Sequence, residues 1–200
     1  MEQTSGPQEF VIGDRNETSV IRNLTEINGI FLAQLEKTMH GGFTEEDEGD
    51  LLAIAKEESR AYTMGFFDVY LGPRDNLIDT LARDNDTVLG MGLTHQQLAD
   101  FLALFMQSRN TAEPVIFNGK TYVDRTLGSR IAATSPFGDG IRANVDHHLT
   151  RMEDNSEFWF SEMLPEMVRR YGFYEGEGTP FRVDPRKLAE FAGFVPKQEA

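Results

Sequence analysis

The most constraining part of this sequence is its C-terminal segment, residues 158–194, in which aromatic residues and helix signals alternate. It opens with Phe158, Trp159 and Phe160, an aromatic run typical of a β-strand. The apolar residues that follow share one face of a helix, and they are Met163, Leu164, Met167, Val168 and Tyr171. The segment therefore predicts a strand followed by an amphipathic helix that packs on a core.

The ends of this helix are marked by proline and glycine. Pro165 leaves two starts open, because either Ser161 or Leu164 could be the N-cap residue. Gly172 is placed to end the helix in a left-handed conformation. An Asp-Pro pair then predicts the start of a second short helix, which the glycine at position 193 ends.

Residues 161–185 also carry a recognisable string, which includes G-F-Y-E-G and later P-F-R-V-D-P. This string resembles the C-terminal signature of a group of small uncharacterised bacterial proteins, which have G-F-F-E-G followed by P-Y-R-V-D-P. That group often has a histidine where this chain has Glu166, and a cysteine before an upstream Pro-Phe pair where this chain has Ser135. The group has no assigned activity, so the resemblance implies a bacterial origin and no catalytic residue.

Composition excludes several classes of protein. The chain of 200 residues is 40% hydrophobic, which is enough for a core, and its formal net charge is −14. Such a charge repels nucleic-acid phosphates and anionic lipids, so we expect neither nucleic acid nor a membrane as a partner. The chain contains no cysteine, which excludes disulfides and thiolate chemistry. No apolar run approaches a membrane span and no signal peptide is visible, so we expect a cytoplasmic protein.

The first half of the chain reads as helical. Residues 1–17 are expected to be a partly disordered tail, and residues 18–108 a bundle of helices. The first helix is predicted from an apolar stripe formed by Val20, Leu24, Ile27, Phe31, Leu35 and Met39. A second helix is predicted from Thr44 to Val69, although residues 61–71 also fit a strand. A short helix is predicted from Pro73, a turn over 83–86, and another helix after a capping box at 94–97.

The second half, residues 112–195, reads as a small antiparallel sheet with C-terminal helices. Asn118-Gly119 between two apolar runs is the strongest short hairpin signal. Residues 126–143 are rich in Gly, Ser and Pro and predict a long loop, and 145–152 predicts a strand. The expected fold class is therefore α+β, with an N-terminal helical bundle packed as one unit against the sheet part.

The candidate ligand-binding residues lie in the 128–142 loop and the strand after it. They are Ser129, Arg130, Ser135, Asp139, Arg142, His147 and His148. If 145–152 is a strand, the two histidines point to opposite faces and cannot grip one metal ion together. No metal-ligand spacing, nucleophile motif or cofactor fingerprint occurs, so we expect no metal, no cofactor and no identified catalytic residue.

Two kinds of function remain open at this stage. The first is an acidic non-enzymatic binding or regulatory protein that acts through protein contacts, favoured by the charge and by the lack of a catalytic motif. The second is a small ligand-binding protein or enzyme that uses the 128–142 loop with His147 or His148. Aromatic-rich helices also leave a homo-oligomer possible.

Overall fold

The computed structural model of the protein describes residues 18–41, 69–108, 113–177, 179 and 181–194. These ranges contain α-helices and antiparallel β-sheets, which confirms the α+β class expected from the sequence. The predicted N-terminal tail lies outside the described residues. So does the helix predicted from Thr44, except for its last residue, Val69, which is not helical.

The N-terminal segment differs from the predicted continuous helix. It forms α1 (Thr18–Arg22) and α2 (Leu32–Met39), separated by a hairpin of β1 (Glu26–Ile27) and β2 (Ile30–Phe31). The turn between the strands is Asn28-Gly29, with φ angles of 52° and 74°. The prediction of one helix is therefore wrong, because an Asn-Gly pair between isoleucines forms a tight hairpin turn in preference to continuing a helical stripe.

Helix α3 (Leu77–Gly90) is longer than expected and begins later than Pro73. The side chain of Asn76 caps it by accepting a hydrogen bond of 3.1 Å from the amide of Asp79. The turn predicted over 83–86 is wrong, because these residues are helical. Asp84 and Asn85 bury their polar side chains inside the protein, where other residues bind them.

Helix α4 (His95–Ser108) follows the predicted capping box. The amide of Thr94 donates to Oε1 of Gln97 over 2.9 Å, and the amide of Gln97 donates to the hydroxyl of Thr94 over 3.2 Å. The buried face of α4 includes the predicted set of Leu98, Phe101, Leu102 and Phe105.

Four antiparallel strands form the main sheet in the order of the sequence. They are β3 (Val115–Phe117), β4 (Lys120–Thr134), β5 (Arg142–Arg151) and β6 (Ser156–Ser161). Asn118 and Gly119 join β3 to β4 with φ angles of 48° and 70°, as the hairpin prediction required. The aromatic run at 158–160 lies in β6, so the predicted strand before the helix is confirmed.

The long loop predicted over 126–143 is wrong. Strand β4 continues to Thr134 and pairs with β5, with a register shift between Gly128 and Ala133. Only residues 135–141 form the connection, and they contain the proline and the two glycines with positive φ angles that turn the chain. Hydrogen bonds to β5 satisfy the backbone N–H and C=O groups of this segment. Its glycine and serine content alone would assign it to a loop.

The C-terminal helices follow most of their sequence signals, but the N-cap of the first is Met163, so both predicted starts, Ser161 and Leu164, are wrong. Helix α5 (Leu164–Tyr171) has its proline in the first turn and ends at Gly172, whose φ angle is 61°. Helix α6 (Pro185–Ala192) is capped by the side chain of Asp184 and ends at Gly193. All five residues predicted for the apolar face that includes α5 are buried.

The buried hydrophobic residues form one cluster that extends along the chain from Ile21 to Ala192. The ring of Tyr122 on β4 lies 5.3 Å from that of Phe101 on α4 and 5.4 Å from that of Phe191 on α6, between ring centroids. Helix α4 packs on α5 and α3 packs on α6. The described residues therefore do not support a separate N-terminal helical bundle. Among them, no helix has the length and apolar character needed to cross a membrane.

Candidate functional site

Two of the candidate residues, Ser135 and Asp139, build the turn between β4 and β5. The buried hydroxyl of Ser135 accepts a hydrogen bond of 3.4 Å from the amide of Phe137. The carboxylate of Asp139 accepts hydrogen bonds from the amide of Ile141 (3.0 Å) and the hydroxyl of Tyr171 (2.9 Å). These contacts stabilise the turn against α5.

The three other candidates from the predicted 128–142 loop are spread along β4 and β5, and they are Ser129, Arg130 and Arg142. Ser129 and Arg130 belong to β4 by their backbone, and their side chains lie outside what the structure describes. Arg142 begins β5 and is exposed. The described contacts therefore do not gather this polar set around one ligand.

His147 forms a buried pair with Asp124. Its Nδ1 lies 2.7 Å from Oδ2 of Asp124, and its ring stacks on Phe160 with a centroid distance of 4.7 Å. The carboxylate can only accept, so Nδ1 carries the proton and Nε2 keeps a lone pair when the ring is neutral. Within the described ranges, neither Nε2 of His147 nor Oδ1 of Asp124 has a hydrogen-bond partner, although both atoms are buried.

His148 lies on the opposite face of the sheet, as the strand prediction required. Its ring stacks on Trp159 of the neighbouring strand with a centroid distance of 3.9 Å, and its Nε2 lies 3.4 Å from Glu157. Register places His148 on β5 opposite Trp159 on β6, and Glu157 opposite Thr150. The two histidines therefore belong to different environments and cannot share one ligand.

A cleft lies where β6 ends and β5 continues past it. The last paired residue of β6 is Ser161, opposite Asp146, and the chain then turns away into α5. The empty space between its walls, counted together with adjoining open solvent, is about 370 Å³. Its lining consists of Tyr70, Ala133, Ala143, Asn144, Val145, Asp146, Ser161, Met163, Glu175 and Phe181. We call this the Glu175 cleft.

The backbone of Glu175 is held in an unusual conformation. Its φ angle is 66°, in the left-handed region that residues with a side chain rarely adopt. Its carbonyl oxygen accepts from Nη1 of Arg182 over 2.7 Å, and the next amide, of Gly176, donates to the carbonyl of Tyr70 over 2.8 Å. A Cβ atom at Gly176 would lie 2.2 Å from Oδ2 of Asp75 and 2.9 Å from the Cα atom of Leu71, so a larger residue there would force its neighbours to shift.

The carboxyl group of Glu175 is nearly buried and only partly satisfied. The residue is 4% exposed, and the hydroxyl of Thr179 donates to its Oε2 over 3.2 Å. Among the described residues, no other group donates to this carboxyl. Burial raises its pKa to about 8; Thr179 and the guanidinium of Arg182 lower it, and the charge of Asp146 raises it. At neutral pH the carboxyl of Glu175 is therefore mostly protonated.

A second buried network supports the segment that carries Glu175. The hydroxyl of Tyr174 lies 2.9 Å from Nδ1 of His95, and Nε2 of His95 lies 3.1 Å from Oδ1 of Asn85. The guanidinium of Arg182 binds both carboxylate oxygens of Asp84. Through these contacts, helices α3 and α4 fix Tyr174 and Arg182, which precede and follow Glu175 in the chain.

Sequence reasoning missed the central residue of this cleft. Neither Glu175 nor Asp146 is among the candidate residues predicted from the sequence. The sequence signal that could have pointed to Glu175 is the G-F-Y-E-G string, because other residues of this string have identifiable structural roles. Gly172 ends α5, Tyr174 binds His95, and Gly176 fits a tight backbone approach.

Neither the described metal-ligating side chains nor comparison with known proteins assigns a function to this cleft. The described part of the chain holds no group of three or more His, Asp or Glu side chains that could bind a metal ion together. Comparison with known proteins found no matching family model, no matching curated protein and no matching solved structure. Any role for the Glu175 cleft must therefore be argued from its own chemistry.

Proposed function

We propose that this protein binds a small molecule in the Glu175 cleft. The observation that carries the proposal is a glutamate with a left-handed backbone whose nearly buried carboxyl accepts one hydrogen bond from the described residues. Strained backbone and raised carboxyl pKa values are features that concentrate at functional sites.

The proposal is for binding and leaves open whether a reaction follows. Neither His147 nor His148 is among the residues that line the cleft. The hydroxyl of Ser161, which does line it, accepts a hydrogen bond of 3.4 Å from the amide of Met163. Among the described residues of this lining, no nucleophile is therefore paired with a histidine base.

A fragment screen followed by amide NMR spectra tests the binding function. We expect fragments to shift the amide signals of residues 143–146 and 175–176. Ala133→Leu, which fills the cleft from β4, should abolish those shifts, while Met152→Ala, at an exposed residue outside the lining, should leave them intact. If a chemically diverse library shifts none of these signals, or if Ala133→Leu leaves the shifts unchanged, the cleft is not a binding site.

A second proposal is that the protein acts through protein contacts at the outer face of the sheet. Ile116 is 75% exposed and Leu127 is 48% exposed. Register places both on the face opposite Tyr122 and Leu149, the same face as Trp159. With a net charge of −14, a basic protein is the suitable partner. Ile116→Lys and Leu127→Lys should abolish capture of such a partner from native lysate, and unchanged capture would exclude this face.

A further inference from the structure

We infer that Asn118 is a site of spontaneous deamidation, a covalent modification in which its side-chain amide is lost through a cyclic intermediate with Gly119. Asn28 stands in the same dipeptide, Asn-Gly, and is protected by the fold. The inference is independent of the proposed binding function, because it concerns a different part of the molecule and a different chemistry.

The sequence contains two Asn-Gly pairs, and the structure gives both the same turn. They are Asn28-Gly29, between β1 and β2, and Asn118-Gly119, between β3 and β4. Their φ angles are 52° and 74° in the first pair and 48° and 70° in the second. Glycine after asparagine favours ring closure, because no Cβ atom shields the attacking nitrogen. Since dipeptide and turn are matched, a difference in reactivity must come from the surroundings of the two asparagine side chains.

The reaction consumes only water besides the protein. The backbone nitrogen of Gly119 loses its proton to a base in solution and attacks Cγ of Asn118, which forms a succinimide ring. The bond from Cγ to Nδ2 breaks, and the leaving nitrogen takes up a proton and departs as ammonia. Water then adds to one of the two ring carbonyls and breaks its bond to the ring nitrogen. Opening at Cγ gives aspartate, and opening at the backbone carbonyl gives isoaspartate, without oxidation or reduction.

Asn28 is held in place by both hydrogens of its side-chain amide. Its Nδ2 donates to the carbonyl of Phe137 over 3.1 Å and to the hydroxyl of Tyr171 over 2.7 Å. A side-chain amide has two N–H donors, so both are used. For Cγ to reach the nitrogen of Gly29 the side chain must turn and both hydrogen bonds must break, which slows ring closure.

Asn118 is exposed and held more weakly. Its Nδ2 donates one hydrogen bond among the described residues, over 3.3 Å to the carbonyl of Ala192, and Gly119 beside it is also exposed. That distance is longer than those common for N–H···O hydrogen bonds. Cγ of Asn118 is therefore more accessible than that of Asn28, both to the attacking nitrogen and to water.

Either product weakens the contact between this hairpin and the end of α6. A carboxylate oxygen replaces the N–H donor beside the carbonyl of Ala192, where the negative end of the helix dipole repels it. Isoaspartate also lengthens the backbone of a two-residue turn next to the pair of Phe117 with Lys120. The ring of Phe117 lies 5.1 Å from that of Phe101 and 5.4 Å from that of Phe194, so a shift of β3 disturbs this aromatic packing.

Two tyrosine variants test the cause of the protection. Tyr171→Phe removes one of the two acceptors of Asn28 and should speed conversion at Asn28 by about fivefold. Tyr122→Phe is the matched control, because it removes a buried hydroxyl that donates to the carbonyl of Phe191, and it should leave the rate at Asn28 unchanged. Equal rates at Asn28 in the wild-type protein and in a folded Tyr171→Phe variant would contradict the protection.

Asn118→Asp imitates one product and tests the consequence at α6. Its urea midpoint should lie below those of the wild-type protein and of Asn118→Gly, which removes the same donor without adding a charge. The gap between the two variants should narrow at high salt, because it comes from a charge at an exposed site. An Asn118→Asp midpoint equal to that of Asn118→Gly would show that the charge does not act on the helix end.

Peptide mapping by mass spectrometry decides the inference itself. The full chain is incubated at physiological temperature and mildly alkaline pH, once folded and once unfolded in guanidinium chloride, and fragmentation distinguishes isoaspartate from aspartate. In the folded protein we expect Asn118 to convert about tenfold faster than Asn28, and in the unfolded chain we expect similar rates at the two sites. The inference is overturned if Asn28 converts as fast as Asn118 in the folded protein, or if folded Asn118 stays intact while the unfolded chain converts.

Discussion

Arg182 reaches across 98 residues of sequence to bind Asp84, with its Nη1 and Nη2 atoms 2.5 Å and 2.6 Å from the two carboxylate oxygens. The side chain of Asp84 is 1% exposed and that of Arg182 is 14% exposed. The same guanidinium holds the carbonyl of Glu175. This buried pair therefore connects helix α3 to the wall of the Glu175 cleft.

We predict that Asp84→Ala destabilises the protein by about 3–5 kcal/mol, because it leaves the Arg182 charge buried without its partner. The measurement is the free energy of unfolding from urea denaturation. Asp79→Ala on the same helix is the control, since it removes an exposed pair with Arg22 that should contribute under about 1 kcal/mol. Equal losses in the two variants would show that Asp84 does not act through a buried ion pair.

The sequence predicted those parts of the fold that depend on local signals. The hairpin at Asn118-Gly119, the capping box at Thr94 and the glycine that ends α5 are each determined by a few neighbouring residues. The same turn signal is present at Asn28-Gly29, but the helix prediction for this segment followed its apolar stripe of helical spacing instead. The chain forms the tight turn there, and long-range contacts support it, because Asn28 donates to the carbonyl of Phe137 and the hydroxyl of Tyr171.

The candidate site was harder to predict because it depends on contacts between distant parts of the chain. Glu175 becomes unusual only when Tyr70, Arg182 and β5 surround it. The turn predicted over 83–86 failed for a related reason. Its polar residues suggested exposure, but Asp84 is buried against an arginine almost a hundred positions away.

Gly172 provides a test of how tightly the chain is held next to the cleft. Its φ angle is 61°, and a Cβ atom there would lie 2.9 Å from Nε2 of the buried His95. We predict that Gly172→Ala costs more than about 1 kcal/mol in the free energy of unfolding. Gly90→Ala at the end of α3 is the control, because a Cβ atom at Gly90 meets nothing within 4 Å and Gly90 is helical. That variant should be neutral or more stable, and a similar cost in both would contradict the argument.

Glu175 should give the protein a pH dependence of unusual sign for a carboxyl group. Burial raises its pKa to about 8, whereas its ordinary value is 4.5. Between these pH values the unfolded chain loses a proton that the folded chain keeps. The free energy of unfolding should therefore fall as pH rises through this window, by up to about 1.4 kcal/mol per pH unit from this group.

Glu175→Gln removes this contribution, because glutamine does not ionise. We predict that the variant gains stability relative to the wild-type protein as pH increases from about 5 to about 8, measured by urea denaturation across the range. Glu177→Gln, at an exposed acid two residues away, is the control for removing a nearby carboxyl group. Parallel curves for Glu175→Gln and the wild-type protein would show that Glu175 ionises normally in the folded state.

His95 should show the opposite behaviour, and its tautomer can be derived from its partners. The amide of Asn85 presents Oδ1 to Nε2 of His95 and donates through Nδ2 to the hydroxyl of Thr18 over 3.2 Å. Oδ1 can only accept, so Nε2 carries the proton and Nδ1 accepts from the hydroxyl of Tyr174. Burial lowers the pKa of His95 to about 4, so the folded protein keeps this ring neutral.

Nitrogen-15 NMR of the imidazole ring checks this prediction. We expect the signals of His95 to report the Nε2–H tautomer at neutral pH and to stay unchanged as pH falls well below 6.5, its ordinary pKa. Stability should be lost as pH falls from 6.5 toward 4, because the unfolded chain binds a proton that the folded chain refuses. Tyr174→Phe should cost about 1–3 kcal/mol by leaving Nδ1 buried without a donor. A ring that titrates near 6.5 in the folded protein would contradict the buried network and the support it gives to the segment that carries Glu175.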